Sequence, residues 1–165
     1  MSFNIFSRED REIVYAVEAS PFFWRQKAEE LKFAAEILWP ISENRQSVIL
    51  KAIEENRELD LNAVDPDIFS IFLSLLGSST EALFKGTIIK NNPQYVSGGK
   101  LPSKLTKHNL IKLAEMANLT LSSDEKIFCK QAHQAMVVDG RYPVPKAMRS
   151  PAYSSEIGGH CKDVF

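Results

Sequence analysis

The sequence predicts an all-α fold, an up-and-down helical bundle of four main helices plus a short N-terminal helix. Three observations predict it. Apolar residues recur at spacings of three and four through most of the 165-residue chain, the period of helices that bury one face. The alternation of apolar and polar residues that marks a strand is absent. The periodic runs are also bounded by residues that start or stop helices.

Ser7 with Asp10 three residues on resembles a capping box, and Ile13, Val14 and Val17 give a short first helix its apolar stripe. Ser20-Pro21 then supplies an N-cap and a proline at the first helical position, where a missing N–H costs nothing. Trp24, Ala28, Leu31, Ala35 and Leu38 form the buried face of a second helix that Pro40 is expected to end. Ser42 is expected to cap a third helix over 44–57, with Val48, Ile49, Ala52 and Ile53 inward.

The strongest periodicity follows Asp65-Pro66, again a cap and an N1 proline, and predicts a helix to about Asn91. Its stripe, Ile68, Phe72, Leu75, Ser79, Ala82, Gly86 and Ile89, turns from bulky to small, so a partner helix can approach closely around Ser79, Ala82 and Gly86. The segment 93–104, with Gly98, Gly99 and Pro102, reads as a candidate lid. Thr106 is expected to cap a helix bearing Leu110, Leu113, Ala114 and Ala117, with Asn118 in the left-handed position after its end. Ser122 and Glu125 form a second capping box. The last helix then buries Phe128, Ala132, Ala135 and Met136 and stops at Gly140. The expected organisation is an arm over 1–19, a bundle over 20–145 and a loose tail over 146–165.

Composition narrows the class of function. A hydrophobic share of 44% with 25% charged residues fits one globular domain and argues against disorder. No apolar run approaches the ~20 residues of a membrane span, and the N-terminus lacks a signal peptide's pattern, so no membrane association and a cytoplasmic location are expected. Two cysteines, Cys129 and Cys161, suit a reducing compartment. Residues 1–84 hold 8 Lys/Arg against 15 Asp/Glu, and residues 85–149 hold 11 against 4. Such a division gives either a basic surface for a polyanion or compensation between acidic and basic parts of the fold or of a dimer.

Several residues carry candidate chemistry. Histidine exchanges protons near neutral pH, which singles out His108 and His133. His108 stands beside Lys107 at an expected helix start, where an anion is favoured, or it bonds a neighbouring carbonyl or carboxylate. His133 is either a proton-transfer group or a partly buried side chain with a hydrogen-bond partner. Glu81 and Lys85 form an i,i+4 pair at the border of the inward stripe, expected at the exposed edge; facing inward, they would make a polar site. Arg141 and Tyr142 close the last helix, or Arg141 reaches toward Glu81 or a phosphate, held by Pro143 and Pro145. Cys129, His133, His160 and Cys161 match a zinc set in type, yet adjacent His160 and Cys161 would strain to share one ion, and no metal is expected. With no P-loop, dinucleotide glycine fingerprint or nucleophile elbow, no cofactor is expected either.

A Trp- and Ala-rich helix, then Glu81-Ala82-Leu83-Phe84-Lys85-Gly86, Lys107-His108-Asn109-Leu110 and Gly140-Arg141-Tyr142-Pro143, in that order over roughly 22–145, resembles the HEPN (higher eukaryotes and prokaryotes nucleotide-binding) family. The stand-alone prokaryotic type is the nearest in pattern. The resemblance implies an all-α bundle, commonly a homodimer, found in toxin–antitoxin or defence systems with a cognate antitoxin or other partner protein. Active members are metal-independent endoribonucleases. The candidate RNA or nucleotide contacts are Glu81, Lys85, Lys107, His108, Arg141 and Tyr142. The family's arginine four to six residues before a histidine is absent; the nearest substitute is Lys126, six intervening residues before His133, and lysine lacks the guanidinium fork. The first expectation is therefore an RNA- or nucleotide-binding interaction module whose catalytic motif is degenerate. The alternatives are an endoribonuclease with a relocated site drawn from Lys85, His108, His133 and Arg141, and a homodimeric scaffold with no nucleic-acid role.

Overall fold

Capping signals set several of the helix ends. In the computed structural model, which describes residues 7–60 and 64–139, the chain forms α1 (Arg8–Glu18), α2 (Pro21–Glu54), α3 (Phe69–Asn91), α4 (Leu110–Met116) and α5 (Ser123–Gln134). A π-helical turn, Ala135–Asp139, continues α5, and two 3-10 turns, Pro93–Val96 and Ser103–Thr106, join α3 to α4. Among the described residues the fold is an all-α bundle without strands.

Both expected capping boxes are present. The Ser7 hydroxyl accepts from the Asp10 N–H at 3.1 Å while Asp10 accepts from the Ser7 N–H at 2.9 Å, and Ser122 and Glu125 repeat the exchange at 3.2 and 2.7 Å. Asn118 has φ 61°, and Leu119 returns a hydrogen bond to the Ala114 carbonyl at 3.0 Å, so the left-handed cap after α4 is formed.

Three boundaries differ from expectation, each for a local reason. Pro40 lies inside α2 instead of ending it, so the expected second and third helices are one 34-residue helix. Pro40 is exposed, so the carbonyl deprived of its donor meets water, while Ala35 and Ser42 on the opposite side are buried against the bundle. Asp65 does not cap α3. Its carboxylate accepts from Asn44 Nδ2 at 2.7 Å and its carbonyl from the Arg45 guanidinium, both on α2, and α3 begins at Phe69. Thr106 closes a 3-10 turn on the Ser103 carbonyl, and the cap of α4 is Asn109, which accepts from the Lys112 N–H at 3.0 Å.

α3 is the central element: Phe72, Leu73, Leu76, Ala82, Phe84, Ile88 and Ile89 are all buried, against α2 on one side and α4, α5 and the π turn on the other. The small residues allow the close approach to α2. A Cβ on Gly86 would stand 2.9 Å from Trp24 Cβ, and the buried Ser79 hydroxyl donates to the Ala28 carbonyl at 2.8 Å. The Trp39 and Phe72 rings meet at a tilt of 41°, their centres 5.0 Å apart, where α3 begins.

The segment 93–104 is not a free lid. Val96 and Leu105 are buried on either side of its glycines, Leu101 bonds Tyr15 of α1 through its backbone, and burial raises the Tyr15 phenol above its ordinary value. The segment lines an open concavity of about 650 Å³ that includes Tyr95 and Leu101, and the Lys104 ammonium sits 3.9 Å from the centre of the Tyr95 ring. No helix among the described residues is long and apolar enough to cross a membrane.

Candidate functional site

Glu81 and Lys85 are buried, not at the exposed edge. Both project from the middle of α3, with side-chain exposures of 11% and 6%, between Trp24 of α2 and His108 just before α4. Lys85 Nζ lies 2.5 Å from Glu81 Oε1 and 5.8 Å from the centre of the Trp24 ring. The Trp24 indole N–H donates to the Ala19 carbonyl at 3.1 Å, which fixes the ring that covers the ammonium. A buried carboxylate needs both a counter-charge and hydrogen bonds, and Lys85 supplies the charge and one of the bonds.

His108 supplies the other. The residue precedes the N-cap of α4, and its Nδ1 stands 2.9 Å from Glu81 Oε2 and 3.2 Å from Oε1. A carboxylate only accepts, so Nδ1 carries the hydrogen of this contact. The side chain is 54% exposed: one edge of the ring is fixed to a buried anion and the remainder meets solvent. Carboxylate–imidazole pairing of this kind fixes both tautomer and orientation. His108 thus bonds a neighbouring carboxylate, the second of the two roles its sequence position offered.

His133 is tied to the same point. Its Nδ1 donates to the His108 carbonyl at 2.8 Å, so α5 is docked on the residue that carries the first imidazole. Again the acceptor is a carbonyl, so the hydrogen is on Nδ1. Among the described residues neither Nε2 forms a hydrogen bond.

Lysines border the pair. On α5, Lys126, Lys130 and His133 follow at spacings of four and three and therefore share one face, and both lysines are exposed. Because His133 touches the His108 carbonyl, that face leads to Lys107, which is exposed as well. Lys126 stands two turns from His133, about 10 Å along the axis, too far to act on the same atom. Lys130 escaped the sequence reading, although its place one turn from both Lys126 and His133 was visible. The contribution of Trp24 had no local signal, because the aromatic contact to Lys85 joins residues 61 positions apart.

The structure therefore brings together Glu81, Lys85, His108 and His133, with Lys107 beside His108 in the chain and Lys126 at the far end of the α5 face. Arg141 and Tyr142 lie outside the described residues, as do His160 and Cys161. Cys129 is buried, and its thiol is pushed up to about 11, first by burial and then by the negative charge of Glu125. Among the described residues no three His, Cys, Asp or Glu side chains are grouped to hold a metal ion. Chemically the arrangement offers two oriented imidazoles at the surface, one backed by a buried ion pair, next to a row of ammonium groups. Comparison with family models, with curated proteins and with solved structures finds no match to this chain.

Proposed function

We propose that this protein is a HEPN-like RNA-binding module, of the kind used in prokaryotic defence or toxin–antitoxin systems, and that RNA lies along Lys126, Lys130, His133, His108 and Lys107. The observation that carries the reading is the His133–His108 hydrogen bond at 2.8 Å, which joins the basic face of α5 to the Lys107–His108 segment. Lysines contribute to RNA affinity by displacing counterions from phosphates, and the fixed imidazoles offer hydrogen-bond donors or acceptors to phosphate and 2′-hydroxyl groups. The basic half of the chain supplies this face.

A second reading is favoured by the two Nδ1-anchored rings. One imidazole with a free Nε2 can take the 2′-hydroxyl proton while another gives a proton to the leaving oxygen, which is metal-independent cleavage of RNA. Glu81 then acts as the positioning residue of His108.

One experiment tests both. RNA binding and cleavage are measured in EDTA over a salt series for the wild type, Lys126→Ala/Lys130→Ala, His108→Ala and His133→Ala. The binding reading expects affinity to fall with salt and the double lysine variant to lower the logarithmic slope by about 1.4, at ~0.7 per phosphate contact on a single strand. Salt-independent binding, or a slope that the lysines do not change, overturns it. Cleavage that is lost in either histidine variant establishes the second reading.

A further inference from the structure

Among the described residues the outer face of α2 lacks a partner in the bundle. Phe22, Phe23, Phe33, Ile37 and Ile41 are exposed at 68, 42, 65, 57 and 37%, and at 3.6 residues per turn they project within an arc of about 100°. At 150–250 Å² for an aromatic side chain and somewhat less for Ile, these exposures amount to roughly 500 Å² of apolar surface in one stripe, at the upper end of what a monomer leaves in water. Its two polar members are Gln26 and Glu30, the latter already paired with Lys27 at 3.2 Å.

The charges along one edge of this stripe are arranged symmetrically. Arg25, Lys32, Glu36 and Glu43 lie on that edge, and all are exposed. Counted from Ala34, Arg25 is nine residues before and Glu43 nine after, while Lys32 is two before and Glu36 two after. An antiparallel copy of α2 centred on Ala34 therefore sets Arg25 opposite Glu43, and Lys32 opposite Glu36, on both sides of a two-fold axis. The present intrahelical pairs, Arg25–Glu29 at 2.8 Å and Lys32–Glu36, are exposed and exchange for such contacts at little cost.

We propose that the outer face of α2 binds a second copy of this chain, antiparallel about a two-fold axis near Ala34. Opposite charges at equal distances from one point are what an isologous contact requires, and a different protein would have no need of that symmetry. With its charged edges, the stripe approaches the ~800 Å² per partner of a standard interface. The inference is independent of RNA binding, because none of the residues assigned to RNA is on α2.

The test is sedimentation velocity of the full chain over a micromolar concentration series, with circular dichroism to verify folding. The wild type is expected to form a two-chain species, and Ile37→Glu, on an already exposed position, a folded single chain. Arg25→Glu or Glu43→Arg alone should weaken the dimer about three- to tenfold, since each reversal is counted twice at well under 1 kcal/mol per exposed pair. Arg25→Glu combined with Glu43→Arg should restore it. A wild type that stays a single chain, or a dimer untouched by Ile37→Glu, overturns the proposal; a charge exchange that fails to restore binding overturns the antiparallel register.

Discussion

Replacing Lys85 by methionine isolates the role of the buried ion pair. Methionine keeps the length and flexibility of the side chain but removes the ammonium, so the Glu81 carboxylate, 11% exposed, is left with His108 alone. Removing one partner of a buried pair costs about 3–5 kcal/mol. The surviving His108 hydrogen bond at 2.9 Å sets the expectation at the lower end, about 3 kcal/mol, because part of the carboxylate's need is still met. For a chain of this size that loss lowers Tm by about 9 °C. The assay is urea unfolding followed by tryptophan fluorescence and circular dichroism, with Glu81→Gln and the double variant completing a cycle. The double variant should cost about 2 kcal/mol less than the sum of the single ones, since each single one strands a buried charge and the double one does not. Arg8→Met serves as the control: the Arg8–Glu12 pair has exposures of 89% and 42%, and such pairs contribute a few tenths of a kcal/mol. If Lys85→Met loses less than about 1 kcal/mol, or the single costs simply add, the pair is not the buried anchor of His108 and the reasoning fails.

Three further outcomes follow from local geometry. Gly86→Ala should destabilise by about 1 kcal/mol, the ~1–3 kcal/mol of overpacking against Trp24 exceeding the ~1 kcal/mol gained in helix propensity, and a stabilised variant in a melting curve would contradict the 2.9 Å approach. In a Cys161→Ser background, Cys129 should react with a thiol reagent at pH 8 only as fast as the protein unfolds. Its folded-state value, near 11 against an ordinary 9, means that its contribution is full below pH 9 and is lost as pH rises toward 11; stability flat across that window would speak against it. Glu125 is held below its ordinary value by the Ser122 hydrogen bonds, so what it adds to α5 is present above the unfolded value and lost as pH falls through the lower folded one. A carbon-detected NMR titration of its carboxyl should show the depressed midpoint in the wild type and an ordinary one in Ser122→Pro, which fits the φ of −64° at this position and removes both the hydroxyl and the backbone N–H that hold the carboxylate.

What the sequence made legible was whatever its neighbours in the chain decide. The two capping boxes and the left-handed Asn118 depend on residues within five positions of one another, and the small stripe of α3 needs only periodicity to be recognised. The misread points depend on distant partners. Pro40 stops a helix in isolation, but burial of Ala35 and Ser42 on either side outweighs one lost hydrogen bond. Asp65 has the composition of a cap, yet Asn44 and Arg45 claim its oxygens from across the bundle. Glu81 and Lys85 sit where periodicity gives an edge; whether an edge is wet depends on what stands opposite, and His108 and Trp24 stand there from far along the chain. Glu81, Lys85, Lys107, His108 and His133 were thus named in the sequence and Lys130 was overlooked there, while the burial of the pair, its hydrogen-bond order and the part of Trp24 required the fold.

The continuity of α2 through Pro40 also divides the molecule mechanically. At 1.5 Å per residue the 34-residue rod spans about 50 Å and α3 about 35 Å. Trp39 meets Phe72 where α3 starts, and past Ser42 only Ala52 of α2 is buried. Among the described residues the clamp of Asn44 and Arg45 on Asp65 is the last side-chain hydrogen-bonded brace from α2 to another segment, and beyond it Ala52 stays buried while Leu50 and Ile53 face water. Amide protection should step down beyond that brace, leaving the final turns as a unit that opens without disturbing the site on α3. The helix is one element in shape and two in stability.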